Sequence, residues 1–241
     1  MNVAVIFSGG IGKRMGNSTI PKQFLKLHNK PILVYTLELF QHNPDIDGIV
    51  IVMVGSWIKK TERLVKGYQL DKVWAVVAGG ATGQESRRLG IAKVRELCPD
   101  GTMVLMHDGV RPLLDEEVIS SNLELALREG NAVTTAPVTE TVVTLDEDGS
   151  VANILNRQDC FAARAPQTFR LEDLYACYQR AEEEGLEFID TASLMRHYGH
   201  KIYTMTGNSD NIKITTPIDF YLFKAYVEAR EQRALFGVEE D

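Results

Sequence analysis

Three observations predict a single α/β domain built on a mostly parallel, twisted sheet. Short apolar runs rich in β-branched residues recur along the chain, amphipathic stretches of helical length separate them, and a glycine-rich turn follows the first run. Residues 2–7 (NVAVIF) are apolar on both faces, as a central parallel strand must be. Pro31 opens an amphipathic helix, 48–54 is a second buried strand, and 57–66 is a helix. A third strand over 73–77 ends at Gly79-Gly80 and leads into a helix over 84–97. The fourth, 102–106, runs into His107-Asp108-Gly109-Val110-Arg111-Pro112. Asp115 is placed to N-cap a helix over 116–128, whose first-turn Glu116 and Glu117 suit the helix dipole. Beyond 131–137 the periodicity changes. Residues 141–145 and 151–155 flank Asp146-Glu147-Asp148-Gly149, the pattern of a two-stranded excursion. Residues from about 138 to 164 are therefore expected to form a β-arm. Its apolar side needs cover, which a second copy of the chain supplies most simply, so a homodimer is expected. Helices over 171–184 and 190–198, strands over 201–206 and 211–215, and a helix from Pro217 complete a domain over 1–233. The acidic tail 234–241 is expected to be mobile because it has little to bury.

The chain has 241 residues, 44% of them hydrophobic and 24% charged, which suits one globular domain. Its net charge of −7 speaks against a nucleic-acid backbone as partner. Cys98, Cys160 and Cys177 lack the spacing of a zinc site or a disulfide framework and are read as reduced thiols. With no run long enough for a membrane span and a strand at the N-terminus, the protein is expected to be cytoplasmic and to have no membrane partner.

The first strand runs straight into Ser8-Gly9-Gly10-Ile11-Gly12-Lys13-Arg14-Met15-Gly16, and Pro21-Lys22-Gln23-Phe24 follows. A glycine-rich loop at the carboxyl end of a parallel strand lets backbone N–H groups close on phosphates, and Arg14 and Lys22 add positive charge there. The dinucleotide fingerprint would need glycine at Met15. The Walker loop fails because Arg14 follows Lys13. A phosphoryl or nucleotidyl group is the natural guest, because its transfer depends chiefly on positioning and charge neutralisation.

Asp108 follows an apolar strand, so its carboxylate should project into the same cleft. Asp210, close before Lys213, offers a second carboxylate. Mg²⁺ is typically held by one or two carboxylates together with substrate phosphates, which Asp108 and Asp210 could provide if the fold brings them together. Strand alternation turns His107 to the opposite face, so it is read as structural. Arg164 is read as a solvated surface residue in preference to an unusual phosphate contact, and Tyr221, Phe223 and Tyr226 as packing groups.

Taken in order, SGGIGKRMG, PKQFL, the Gly79-Gly80 pair with Ser86, HDGVRP, Asn156-Arg157, PQTF and DNIKIT resemble the cytidylyltransferases that activate polyol phosphates, over residues 2 to about 230. The paired Gly9-Gly10, the Met15-Gly16 ending and the spacer before Pro21 resemble the ribitol-5-phosphate branch, which makes CDP-ribitol for wall teichoic acid, more than the methylerythritol-phosphate branch of isoprenoid synthesis. The resemblance implies a Rossmann-like nucleotidyltransferase domain that transfers CMP from CTP to D-ribitol 5-phosphate with Mg²⁺. It implies that Phe7, Ser8, Gly9, Gly10, Gly80, Ala81 and Ser86 hold CTP and that Arg14 and Lys22 stabilise charge at the α-phosphorus. Asp108 and Asp210 would hold the metal, Arg157 and Lys213 would grip the acceptor phosphate, and Arg111 and Thr141 would line the acceptor pocket. Two departures stand out: no basic residue follows Gly79-Gly80 until Arg87, and Ala163-Arg164-Ala165 replaces the usual hydroxyl residue before Pro166. Methylerythritol-phosphate cytidylyl transfer, a sugar-1-phosphate nucleotidylyltransferase and a non-catalytic nucleotide-binding module are the alternatives.

Overall fold

The computed structural model describes residues 1–9 and 20–236. β1 (Asn2–Ser8) precedes a 3-10 turn (Lys22–Phe24), a short ribbon of β2 (Lys26–Leu27) and β3 (Lys30–Pro31), and α1 (Ile32–His42). Next come β4 (Gly48–Met53), α2 (Ile58–Gly67), β5 (Val73–Ala78), α3 (Gly83–Leu97), β6 (Met103–Asp108) and α4 (Glu116–Glu129). β7 (Asn131–Pro137) leads to the hairpin β8 (Val143–Leu145) and β9 (Val151–Ile154), then to β10 (Phe161–Arg170). α5 (Leu171–Glu183), α6 (Thr191–His197), β11 (Thr204–Thr206) and α7 (Pro217–Phe236) follow. The 7-stranded sheet has the order β11-β7-β10-β6-β1-β4-β5. β6, β1, β4 and β5 run parallel, and β10 is antiparallel to both of its neighbours.

Period-two alternation sorts the central strands onto two faces. Val3, Val5, Val50, Val52, Val104 and Met106 pack under α3 and α5. Ala4, Ile6, Ile49, Ile51, Met103 and Leu105 pack under α1 and α4. Both faces are dry, which is why these strands read as continuous apolar runs. A smaller cluster of Leu27, Ile32, Val110, Leu113, Ile214 and Phe223 seats α7 against α1 and the loop after β6. Phe223 is fully buried there, as a packing residue should be, whereas Tyr221 is exposed.

Three expectations change. Residues 211–215 form no strand; Ile214 donates its N–H to Val110 O at 2.9 Å, and its side chain docks in the α7 cluster. β10, which the sequence hides, fills the sheet between β7 and β6, with its register broken between Ala163 and Gln167 around a cis Ala165–Pro166 bond. Asp115 occupies the N-cap of α4 without a side-chain cap bond, because its carboxylate accepts from Arg230 at 2.8 Å instead. α7 runs to Phe236, past the expected domain end at 233, and residues 237–241 of the expected tail lie outside the described residues. The expected hairpin is present within the arm, and the three cysteines are free thiols. No helix among the described residues is long and apolar enough to cross a membrane.

Candidate active site

The carboxyl ends of β1, β4, β5 and β6 open on one cleft of about 1040 Å³. Such ends of parallel strands are where open α/β sheets bind ligands. Pairing of Phe7 with Asp108 brings the end of β1 beside the end of β6. Buried Gln23 donates from Nε2 to Ser8 O at 2.5 Å, fastening the segment that carries Lys22 to the rim. Ser8 also lines the cleft, and its Oγ is buried beside Gly109 with no hydrogen-bond partner among the described residues.

The opposite wall is the turn from β5 into α3. Thr82 caps the helix by accepting from Glu85 N–H at 3.1 Å, and Glu85 Oε2 accepts from Ala81 N–H at 2.6 Å. Ser86 Oγ accepts from Gly80 N–H at 3.1 Å and donates to Thr82 O at 2.9 Å. A Cβ on Gly79 would stand 2.8 Å from Ser86 Oγ, so only glycine permits this close approach. The resulting arch sits at the N-terminus of a 15-residue helix, whose dipole favours anions. Phe7, Ser8, Gly9, Gly80, Ala81, Ser86 and Lys22 all line the cleft, while Gly10 and Arg14 lie outside the described residues.

Asp108 stands between two cations. Lys213 Nζ donates to Oδ1 at 2.7 Å and Arg111 Nε to Oδ2 at 2.9 Å. Burial pushes its pKa up, but Lys213 and Arg111 more than reverse that and hold it at about 2, so the carboxylate stays ionised. His107 points to the other face, where its ring lies 5.1 Å from that of Phe40 and Nε2 is 3.2 Å from Arg111 O. Burial lowers its pKa to about 4, keeping it neutral. The alternation argument for a structural His107 therefore matches its placement.

Several expected site residues lie elsewhere. Asp210 does not line the cleft; its carboxylate is 3.6 Å from Arg230 and accepts from Ser209 Oγ at 2.9 Å. Asp108 is thus an ionised oxygen donor in the cleft of the kind a divalent ion needs, though both oxygens are bonded to Lys213 and Arg111, whereas Asp210 lies outside the cleft. Among the described residues no group of three or more His, Cys, Asp or Glu side chains could hold a metal. Arg157 is exposed on the arm, donating to Thr139 O at 3.1 Å, and Thr141 is exposed nearby; neither lines the cleft of its own chain. Arg164 is not a free surface residue. It is partly buried, and Nη1 donates to the carbonyls of Asn208, Ser209 and Asn211 at 3.3, 2.9 and 3.4 Å.

The cleft also holds residues given no role from sequence. Gln167 donates from Nε2 to Asp190 Oδ2 at 3.1 Å and accepts from Ala192 N–H at 3.1 Å. Asp190 caps α6 through Ser193 N–H at 2.9 Å. Arg87 reaches Tyr178 Oη at 3.0 Å and Phe188 O at 3.1 Å, tying the start of α3 to the segment before α6. Asp190 was legible only as the first residue of the helix expected over 190–198, and Gln167 only as part of PQTF.

Comparison with known proteins accords with this geometry. A ribitol-5-phosphate cytidylyltransferase of Vibrio parahaemolyticus is 46% identical over 238 residues, covering 98% of this chain and 100% of its own. A 2-C-methyl-D-erythritol 4-phosphate cytidylyltransferase of Clostridium novyi is 37% identical, covering 94% of this chain and 96% of its own. The crystal structure of 4-diphosphocytidyl-2C-methyl-D-erythritol synthase from Anaerococcus prevotii superposes with a TM-score of 0.83 at 25% identity, covering 94% of this chain and 96% of that one. The sequence profile of the 2-C-methyl-D-erythritol 4-phosphate cytidylyltransferase (IspD) family matches residues 2–229, and the chain belongs to that family.

Proposed function

We propose that this protein transfers CMP from CTP to D-ribitol 5-phosphate, releasing pyrophosphate and forming CDP-ribitol, as a cytoplasmic homodimer that uses Mg²⁺. The observation that carries the acceptor assignment is full-length similarity at 46% identity to a ribitol-5-phosphate cytidylyltransferase, against 37% for a methylerythritol-phosphate one. The cleft supports the reaction class. It offers a helix N-terminus with a glycine arch for a nucleotide, Lys22 on the facing rim, and an Asp108 that its cationic neighbours keep ionised.

In this reading the glycine arch and Ser86 orient the cytosine end of CTP, and Ser8 lies at the cleft floor beneath the phosphates. An oxygen of the acceptor's phosphate attacks the α-phosphorus in line. The new P–O bond forms as the bond to the β-phosphate breaks, and its electron pair leaves with pyrophosphate. The attacking phosphate is already an anion, so no general base is required. Two anions must nevertheless meet, and Lys22 and Lys213 lower that Coulomb barrier. Mg²⁺ bound by Asp108 and the CTP phosphates would add charge neutralisation at the leaving group. Asp108 would be the protein ligand for that ion, and Asp210, which faces Arg230, would join it only if its loop turned.

An acceptor screen tests this reading. Pyrophosphate release is measured with CTP, UTP or dTTP against ribitol 5-phosphate, methylerythritol 4-phosphate and a hexose 1-phosphate, with Mg²⁺ or EDTA. Turnover should require CTP, ribitol 5-phosphate and Mg²⁺ together. A preference for methylerythritol 4-phosphate would reassign the acceptor, and equal turnover in EDTA would remove the metal from the mechanism.

A further inference from the structure

Lys213 is held over Asp108 by a loop that belongs to no strand or helix, so something else must fix it. The loop over 208–213 is fastened through two of its side chains and through its carbonyls. Asn211 Nδ2 donates to Ala165 O at 2.7 Å, Asn208 Nδ2 to Leu113 O at 2.9 Å, and Arg111 Nη1 to Asn211 O at 2.8 Å. Arg164 adds the widest fastening, with one terminal nitrogen shared among the carbonyls of Asn208, Ser209 and Asn211. It comes from the register break of β10, and such breaks re-aim a side chain out of its strand's alternation. Its neighbours Ala163 and Ala165 line the cleft, whereas Arg164 does not.

Two guanidinium groups thus converge on Asn211 O, one of which also grips Asp108. Like charges so close repel, and Arg164 is partly desolvated as well. Burial, then the charge of Arg111, lowers its pKa, with Asp210 acting in the opposite sense. A surface arginine would avoid this arrangement. Its retention across three carbonyls makes sense if the loop must be held in one conformation.

We propose that Arg164 is a positioning residue for the transfer reaction, holding the 208–211 backbone so that Lys213 stands over Asp108 at the acceptor side of the cleft. Through β10 it also ties that lysine to the base of the arm. The inference rests on the cytidylyltransferase reading for its kinetic test, and on the loop geometry alone for its spectroscopic one.

The kinetic test compares Arg164→Ala, Arg164→Lys, Lys213→Ala and the Arg164→Ala/Lys213→Ala double variant, with CTP and ribitol 5-phosphate varied in turn. Arg164→Ala should lower kcat/KM for the acceptor about ten- to a hundredfold, as misplacement of a reacting partner does, and leave the KM for CTP unchanged. Arg164→Lys should recover part of the loss, since an ammonium cannot reproduce the planar fork. The double variant should be no worse than Lys213→Ala, because both changes act through one side chain. Losses that multiply, or a loss confined to CTP, would overturn the proposal. For a readout independent of turnover, lysines are reductively ¹³C-methylated and the Lys213 resonance is identified by its absence in Lys213→Ala. That resonance should move in Arg164→Ala and return toward its original position in Arg164→Lys. An unmoved resonance overturns the proposal even if the wild-type protein uses another acceptor. Absence of wild-type turnover with a resonance that does move would instead condemn the function reading alone.

Discussion

Asp108 and His107 are neighbours in sequence with opposite surroundings, and their protonation follows from that. Asp108 keeps its charge because Lys213 and Arg111 bond both of its oxygens; His107 stays neutral because it is buried against Phe40. The two titrate in separate windows. An unfolded histidine takes up a proton near pH 6.5 and the folded His107 only near 4, so the unfolded state binds more protons between those values. Stability should therefore decline as the pH falls through that window. Asp108, held at about 2 against an ordinary value of about 3.9, contributes stability that is lost only below that window. Melting temperatures measured in EDTA at pH 7, 5.5 and 4.5 should drop less steeply for His107→Gln than for the wild type; parallel slopes would mean His107 is not the group responsible. Lys22 carries a different kind of prediction. It lines the cleft on a segment pinned by Gln23, so Lys22→Ala should leave the fold intact and lower kcat roughly a hundred- to a thousandfold, the effect of removing one preorganised donor. A change confined to KM in steady-state assays would place Lys22 in ground-state binding instead.

At the scale of elements, α3 shows how packing sets the site. Its Gly90 lies where the helix meets the sheet, and a Cβ there would come within 2.7 Å of methyl groups of both Val5 and Val52. Alanine is the better helix former by roughly 1 kcal/mol, yet overpacking a buried seam costs about 1–3 kcal/mol. Gly90→Ala should therefore lower stability in urea titrations and, because the N-terminus of α3 carries the Ser86 arch, raise the KM for CTP. A stabilised variant would show that the seam can open without strain. The elements that sequence reveals are those whose local pattern and tertiary role coincide. The central strands are buried on both faces and read as unbroken apolar runs, and the hairpin has its turn residues at Asp146 to Gly149. β10 escapes because Phe161–Arg170 carries a proline in mid-run, which argues against a central strand, and its register breaks just there. Residues 211–215 mislead in the opposite way: Ile212 and Ile214 alternate as in a strand, but the pattern serves the cluster under α7. The same limit applies to the site. Asp108 and the Gly79-Gly80 turn follow from strand ends, and Ser86 and Lys213 only from the family resemblance, whereas the turn of Asp210 toward Arg230 depends on a residue of α7 far along the chain.

At the scale of the whole molecule, the arm is the part whose apolar residues the single chain leaves exposed. A two-stranded hairpin is marginal by itself in water, yet this one presents Leu145 61%, Ile154 71% and Phe161 at its base 52% exposed. Isolated exposed apolar residues are ordinary, but several on one projection mark a surface that expects cover. The position of Arg157 points the same way. It is exposed on the arm and outside the cleft of its own chain, so a role at an acceptor phosphate requires the arm to reach the cleft of another copy. Leu145→Asp/Ile154→Asp should therefore shift the protein from dimer to monomer in sedimentation at micromolar concentration, with the main sheet still folded by circular dichroism. CTP binding should persist, since the glycine arch, Ser86 and Lys22 are contributed by one chain, while the acceptor's KM should rise as it does for Arg157→Ala. A wild-type protein that sediments as a monomer would remove both the dimer and the role of Arg157. A monomeric variant with normal acceptor kinetics would remove only the second and leave the arm as an assembly device.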